Sequence, residues 1–545
     1  MRLPPALLFL AAACSAPVQT EASSAARLYP GLDSYHRPVS TQNSEARRWF
    51  DQGLELVYGF NHDEAIRSFR EAAQHDPQFA LAWWGVAHAS GIHVNNPQMS
   101  ATASATAYEA VQEALRLSAG ASPVERALIA ATARRYAWPV PENRRPLDEA
   151  YAAGMEEAWR TFPNDPDVGA LYAESLMNLQ PWDYWTSDKQ PKGRATDIVA
   201  ALERVLQLNP AHPGANHFYI HAVEASAQPR RAESAADRLR TLVPGSGHLV
   251  HMPSHIYINV GRYDDAVTAN ERAIATDEAY FKSAPPPDFY NIYYIHNVHF
   301  LAFSAMMTGR SALALESARK MEAQVPEEFL RGATGMVDGM MPAALHVLIR
   351  FGRWQEILDE PDYPEWRLAS RALRHYARTV ALANLNRASE ARAELAAFDS
   401  AAIAVPADWA IGVNPAARVL EVARLMAMGE ILWREGRAEE AYSSLREAVA
   451  LEDALVYDEP PGWMLPVRHA LGALLLAGDK PDMALEVYRA DLLDNPRNAW
   501  SLLGLSQTLR ALGRNTEADA LASELEAAWS KADVKPPASC YCGVR

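Results

Sequence analysis

Residues 46–79 read ARRWFDQGLELVYGFNHDEAIRSFREAAQHDPQF, and the spacing within them decides the fold. Trp49 and Gly53 follow W-x3-G, Ala65, Phe69 and Ala72 follow A-x3-F-x2-A, and Pro77 closes the stretch. Two antiparallel helices satisfy that spacing. Small Gly and Ala let the helices approach, the large side chains fill the gap, and proline ends the second helix. Such a pair cannot bury its apolar face alone, so one unit implies neighbours.

The same register returns down the chain. GRYDDA at 261, GRSALA at 309, GRAEEA at 436 and GRNTEA at 513 each set an alanine five residues after a turn glycine. With that alanine as residue 20 of a unit, units start near 46, 80, 213, 247, 295, 338, 372, 422, 465 and 499. Met99 and Ile357 stand where the alanine belongs in the units at 80 and 338. Between about 120 and 210 the pattern loosens, with helices expected near 123–137, 146–161, 166–179 and 193–208. The expected fold is all-α: a tetratricopeptide-repeat, right-handed α-solenoid of antiparallel helix pairs. Its expected parts are a signal and linker (1–24), N-terminal repeats (45–120), divergent repeats (121–210), histidine-rich repeats (211–358), C-terminal repeats (359–530) and a flexible tail (531–545). Two segments interrupt it, the aromatic QPWDYWTSDKQPKG (180–193) and FKSAPPPDFYNIYY (281–294). Long loops in compact arrays often serve as lids or binding edges.

Composition narrows the function. Alternating strand patterns are scarce in the 545 residues, and a formal charge of −16 argues against nucleic acid, which is bound through Lys and Arg. The start, MRLPPALLFLAAACSAP, has the build of a secretory signal too short to span a bilayer, and Cys14 sits where a lipoprotein signal carries its lipid. Export is therefore expected, to the periplasm or, through Cys14, to a lipid anchor on the cell envelope. Cys540 and Cys542 lie too close in sequence to suggest a structural disulfide, which leaves a thiolate pair or an exposed tail.

The histidines follow the register. Places 2, 5, 9, 12 and 13 of such units line the concave groove in tetratricopeptide arrays, a property carried over by resemblance. The unit at 213 has His217, His221 and Glu224 on these places, the unit at 247 has His248, His251 and His255, and the unit at 295 has His296 and His299. His88, His346 and His469 occupy such places elsewhere, so ten of 16 histidines fall on about a seventh of each repeat. Pairs at i and i+4, His217/His221 and His251/His255, can turn two imidazoles toward one cation. Imidazole with carboxylate suits Zn, Cu, Fe or Ni. No HExxH motif is present: Phe218 follows His217 and Met252 follows His251. Pro253 either kinks the helix or delays its start to Met252, which would take His248 off the stripe. His62, His75 and His375 read as core or exposed histidines, and His93, on a turn in GIHVNNP, is not counted among the ligands.

FDQGLELVYGFNHDEAIRSFREAAQHDP, AWWGVAHASG, HFYIHAVEAS, HMPSHIYINVGRYDDAVTAN and YYIHNVHFLAFSAMMTGR, with EPPGWMLPVRHALGALLLAGDK at 459–480, are similar to a group of exported bacterial tetratricopeptide-repeat proteins. That resemblance implies the fold and carries no catalytic residues with it. Three functions follow from the residues. The first is a scaffold binding a transition metal in its histidine groove. The second is a metal-dependent hydrolase or oxidase with Glu174 or Glu224 as general base. The third is a metal-free adaptor for an envelope protein or peptide.

Overall fold

The computed structural model describes residues 26–283 and 288–543. The signal sequence and Cys14 anchor expected within 1–24 lie outside the described residues. Among the described residues no helix is long and apolar enough to cross a membrane. The chain forms two compact units: a histidine unit, up to Ile256 with Ala269–Tyr294, and a C-terminal unit, chiefly Tyr257–Thr268 with Ile295 onward.

The histidine unit begins with α1 (Ser44–Tyr58), α2 (His62–His75), α3 (Ala80–Ala89) and α4 (Ala101–Leu117). Phe69 shows why the opening stretch folds as read. Its buried ring lies between Gly53 and Gly85, where an added Cβ would sit 2.7 and 2.5 Å from ring carbons. Only glycine leaves α1 and α3 room to close on α2. Asn43 caps α1 by accepting from the amides of Glu45 and Ala46, and Asn61 caps α2 through Glu64.

The looser stretch is α5 (Pro123–Ala133), α6 (Arg145–Thr161), α7 (Pro166–Met177) and α8 (Ala195–Leu208), each within a few residues of its expected place. Ser122 and Glu125 form a capping box on α5, and Asp165 caps α7. Then follow α9 (Pro213–Val223), α10 (Glu233–Leu242), α11 (Gly247–His251), α12 (Pro253–Asn259), α13 (Tyr263–Phe281) and α14 (Asn291–Met307). Ser246 caps α11 through the Leu249 amide, so the helix starts at Gly247 and the late start at Met252 does not occur. Met252 keeps helical angles and Pro253 opens α12, the first-turn place where a missing N–H costs nothing. His248 therefore stays helical.

The C-terminal unit repeats the paired arrangement: Leu368–Asn384 with Ala388–Ala404, Ala416–Arg434 with Ala438–Asp453, and Val467–Ala477 with Pro481–Asp494. The register alanines Ala65, Ala232, Ala266, Ala314, Ala391, Ala441, Ala484 and Ala518, with Ile357, are all essentially inaccessible. Met99 departs from this pattern. It falls in an irregular connection between α3 and α4, held by a bridge between His93 and Asn96.

The tail corrects two expectations. Residues 531–543 are docked, not free. Asp533 accepts from the amides of Ser311 and Ala312. Ser539 is buried, donating to the His469 carbonyl and bonding the Tyr488 hydroxyl. Cys540 and Cys542 form a disulfide, because the short turn at Tyr541–Gly543 brings their Cα atoms to 5.2 Å, inside the span a disulfide bridges.

Candidate metal centre

Five imidazoles converge inside the histidine unit: His217 and His221 on α9, His248 and His251 on α11, and His255 on α12. They are 0–3% exposed, so they form a buried cluster and not the wall of an open groove. The i, i+4 spacing works as geometry demands. His217 and His221 have ring centroids 4.8 Å apart, and so do His251 and His255.

The contacts at Nδ1 fix what Nε2 can do. His217 Nδ1–H donates to the Tyr58 carbonyl at 2.6 Å. Glu224 accepts from His221 Nδ1–H at 2.9 Å through Oε1, and from His255 Nδ1–H at 2.7 Å through Oε2. His251 Nδ1–H donates to Asn270 Oδ1 at 2.7 Å, an amide oriented by its own bond to Ser254 Oγ. A carbonyl or carboxylate oxygen only accepts, so the proton of each neutral ring sits on Nδ1 and the lone pair on Nε2.

The Nε2 atoms meet in pairs. The Nε2 atoms of His251 and His255 are 2.8 Å apart, and those of His217 and His248 are 3.2 Å apart. His221 Nε2 has no hydrogen-bond partner among the described residues. His217, His221 and His248 each offer a nitrogen within 4.8 Å of the others, and His221, Glu224 and His255 form a second such group. Two imidazole nitrogens on one tetrahedral zinc stand about 3.3 Å apart, and at a right angle about 2.9 Å. Burial pushes the His221 pKa down to about 3, and burial with the His221 charge holds His217 well below its ordinary value.

Both Glu224 oxygens thus accept from imidazole N–H groups, which ties His221 and His255 together. Glu174, the other candidate base, accepts from Asn178 at 2.6 Å, and burial raises its pKa against the opposing effect of Arg135. His296 and His299 belong to the C-terminal unit, as do His346 and His469. There His299 Nε2 lies 3.0 Å from Met464 Sδ, and His346 packs edge-on to Trp463. His469 does not fit a ligand role. Arg350 donates to its Nδ1 at 2.9 Å and its Nε2 donates to Asp491 at 3.1 Å, so both nitrogens serve a buried ion-pair network. His88 stacks on Trp84 with centroids 5.4 Å apart, one turn before the connection that carries His93.

Sequence reasoning missed Phe60. Its ring centroid lies 4.5 Å from His93, 4.6 Å from His217 and 5.5 Å from His248, making it one wall of the cluster. The signal was present: Phe60 stands where GRYDDA and GRSALA carry glycine. Trp182, from the aromatic loop, sets its ring 4.8 Å from His221 and donates to the Val94 carbonyl, while Trp185 donates to the Ala222 carbonyl. That loop is a cover over the cluster.

No family model matches the sequence, and no curated protein aligns with it. Among solved structures, a monomeric IFIT1 mutant with Gppp-AAAA is 13% identical, covering 89% of this chain and 91% of that one at a TM-score of 0.31. The human IFIT1 dimer with PPP-AAAA is 12% identical over 91% and 98% at 0.30. Yeast Tom70 is 12% identical over 88% and 90% at 0.27. Superpositions this loose bring no ligand, partner or site with them. The class defined by the helix pairs themselves is a tetratricopeptide-type α-solenoid, an architecture that builds extended binding surfaces.

Proposed function

We propose that the histidine unit holds a transition metal ion, with Nε2 of His217, His221 and His248 as one donor set and Nε2 of His251 and His255 as a second. One observation carries this reading: His217, His221 and His248 each bring a buried ring nitrogen within 4.8 Å of the others, and the Nδ1–H groups of His217 and His221 are committed to fixed acceptors, which turns their Nε2 atoms inward. Burial keeps the His217 and His221 rings neutral at neutral pH, so each retains a lone pair on Nε2 for a cation. Carboxylate, amide and carbonyl partners on the far nitrogen are what metal-bound histidines ordinarily have. The donor set is all imidazole, which suits Zn, Cu, Fe or Ni.

The test is elemental mass spectrometry on untagged protein, beside His251→Ala/His255→Ala and His217→Ala/His221→Ala. Stoichiometric metal in the parent, lost or halved in either variant, is the expected result. Protein that stays metal-free after incubation with each of the four ions would end this reading.

A second reading, metal-dependent catalysis, draws on the cover formed by Trp182 over His221, since excluding water serves a reaction more than storage does. Hydrolysis and oxygen-consumption screens on the loaded protein decide it. In both readings the protein works outside the cytoplasm, an inference supported by the signal pattern of residues 1–24 alone. Fractionation of cells expressing the full chain, with and without Cys14→Ser, checks export and the lipid anchor.

A further inference from the structure

A second set of polar side chains is buried in the histidine unit, beside the cluster. Arg135, just after α5, is wholly inaccessible. Its Nη2 donates to the Ile92 carbonyl at 2.6 Å, and its guanidinium carbon lies 4.7 Å from the Tyr151 ring centroid. The nearest carboxylate, Asp148, is 3.8 Å from Nε and is already held by Arg144 at 2.9 Å. Nη1 and Nε have no hydrogen-bond partner among the described residues. At Gly91 a Cβ would meet the Tyr136 hydroxyl and come within 2.8 Å of Nη1, so the glycine leaves room for both groups.

The surroundings share the same unmet capacity. Glu174 Oε2, Asn178 Oδ1, the Tyr151 hydroxyl and His88 Nδ1 are buried and have no hydrogen-bond partner among the described residues. Arg135 and Glu174 influence each other electrostatically, yet no ion pair joins them among the described residues. A guanidinium in an apolar interior is costly unless something polar meets its open N–H groups. Water serves hydroxyls well, but a guanidinium with open N–H groups is matched by an anionic oxygen. The set also borders the histidines: Arg135 holds the carbonyl of Ile92, next to His93, and Phe60 lies 4.5 Å from His93 and 4.6 Å from His217.

We infer that Arg135 is the anchor of a binding site for a small carboxylate-bearing molecule, with Glu174, Tyr151 and His88 meeting its polar groups and its far end turned toward the histidine cluster. The anchor stands on its own geometry; only the role of the far end rests on the metal reading. The experiment is calorimetric titration of acetate, succinate and inorganic phosphate into the full-length protein as purified and after chelation, with metal content measured on every sample.

Saturable 1:1 binding of a carboxylate is expected, weakened about 100-fold in Arg135→Gln, the loss of one or two charged hydrogen bonds. Gly91→Ala, which pushes on the Tyr136 hydroxyl and on Nη1 but keeps the charge, should weaken it about 10-fold in protein whose circular dichroism is unchanged. It is the deciding variant if Arg135→Gln does not fold. Absence of saturable binding, tighter binding of phosphate than of either carboxylate, or affinity unmoved by both substitutions would overturn the inference. Bound metal without carboxylate binding removes this site and spares the metal reading. Carboxylate binding that depends on Arg135, in protein that takes up none of the four metal ions, keeps this site and ends the metal reading.

Discussion

Phe60 adopts φ 57°, in the left-handed region, at the turn position where Gly261, Gly309, Gly352, Gly436 and Gly513 take φ between 65° and 79° and Asn386 and Asp479 take 58°. A side chain with a Cβ pays about 1–2 kcal/mol for that conformation, and Asn and Asp recover part of it by local hydrogen bonds. Phenylalanine recovers nothing from its backbone, so its ring must be held by the imidazoles around it. Removing the ring costs about 3–5 kcal/mol. Phe60→Gly should nevertheless be about 1 kcal/mol more stable than Phe60→Ala in urea unfolding, reversing the usual order, because alanine loses the ring and keeps the strained backbone. Equal stability would mean the left-handed turn is not held in solution. Glu224→Gln tests the tie between His221 and His255 at the same scale. One amide group cannot accept from both His221 and His255, so metal affinity measured by chelator competition should fall about 10–100-fold while the fold persists.

At the scale of elements, Phe69 lies between two glycines on different helices, and α1, α2 and α3 are held by one contact. Gly85→Ala should cost about 1–3 kcal/mol by overpacking, read as a lowered urea midpoint. Adding Gly53→Ala should cost less than the sum of the single changes, since Phe69 has already moved. Strict additivity would show that the ring does not couple the helices. The α11–α12 segment shows how the histidines came to be legible. The i, i+4 period put His217/His221 and His251/His255 on shared faces from sequence alone. Whether His248 joined them depended on Ser246 capping the helix before Pro253, a side-chain contact that spacing does not reveal. For the same reason His469, equally well placed in the register, proved to be spent on Arg350 and Asp491.

For the whole molecule, buried histidines set the acid limit. Burial lowers the pKa to about 3 for His221 and His299 and about 4 for His62 and His346, against about 6.5 in the unfolded chain. The unfolded state thus binds more protons between pH 6.5 and these values, so stability is full above pH 6.5 and falls as pH drops through that window. Metal-free protein should lose several kcal/mol between pH 7 and pH 4, measured by denaturant unfolding, with little change from pH 7 to pH 8. A flat profile across pH 4–7 would mean these rings are hydrated. Metal at 100 times its dissociation constant should add about 2.7 kcal/mol. In hydrogen exchange that protection should concentrate on α9, α11 and α12, and uniform protection over both units would argue against binding there.

The repeat register, the helix pairs and the histidine stripe were readable along the chain, because helix period and glycine–alanine spacing are local properties. What the imidazoles do was not. That depended on which acceptor met each Nδ1, and Tyr58 lies 159 residues from His217 while Glu224 lies 31 from His255. The inward turn of Phe60, the cover by Trp182, the buried Arg135 and the docking of the tail were likewise settled by packing between distant segments. Sequence determined which side chains share a face, since a helix repeats every 3.6 residues. Tertiary structure decided which ring nitrogens converge, since the hydrogen bonds that fix each ring come from elsewhere in the fold.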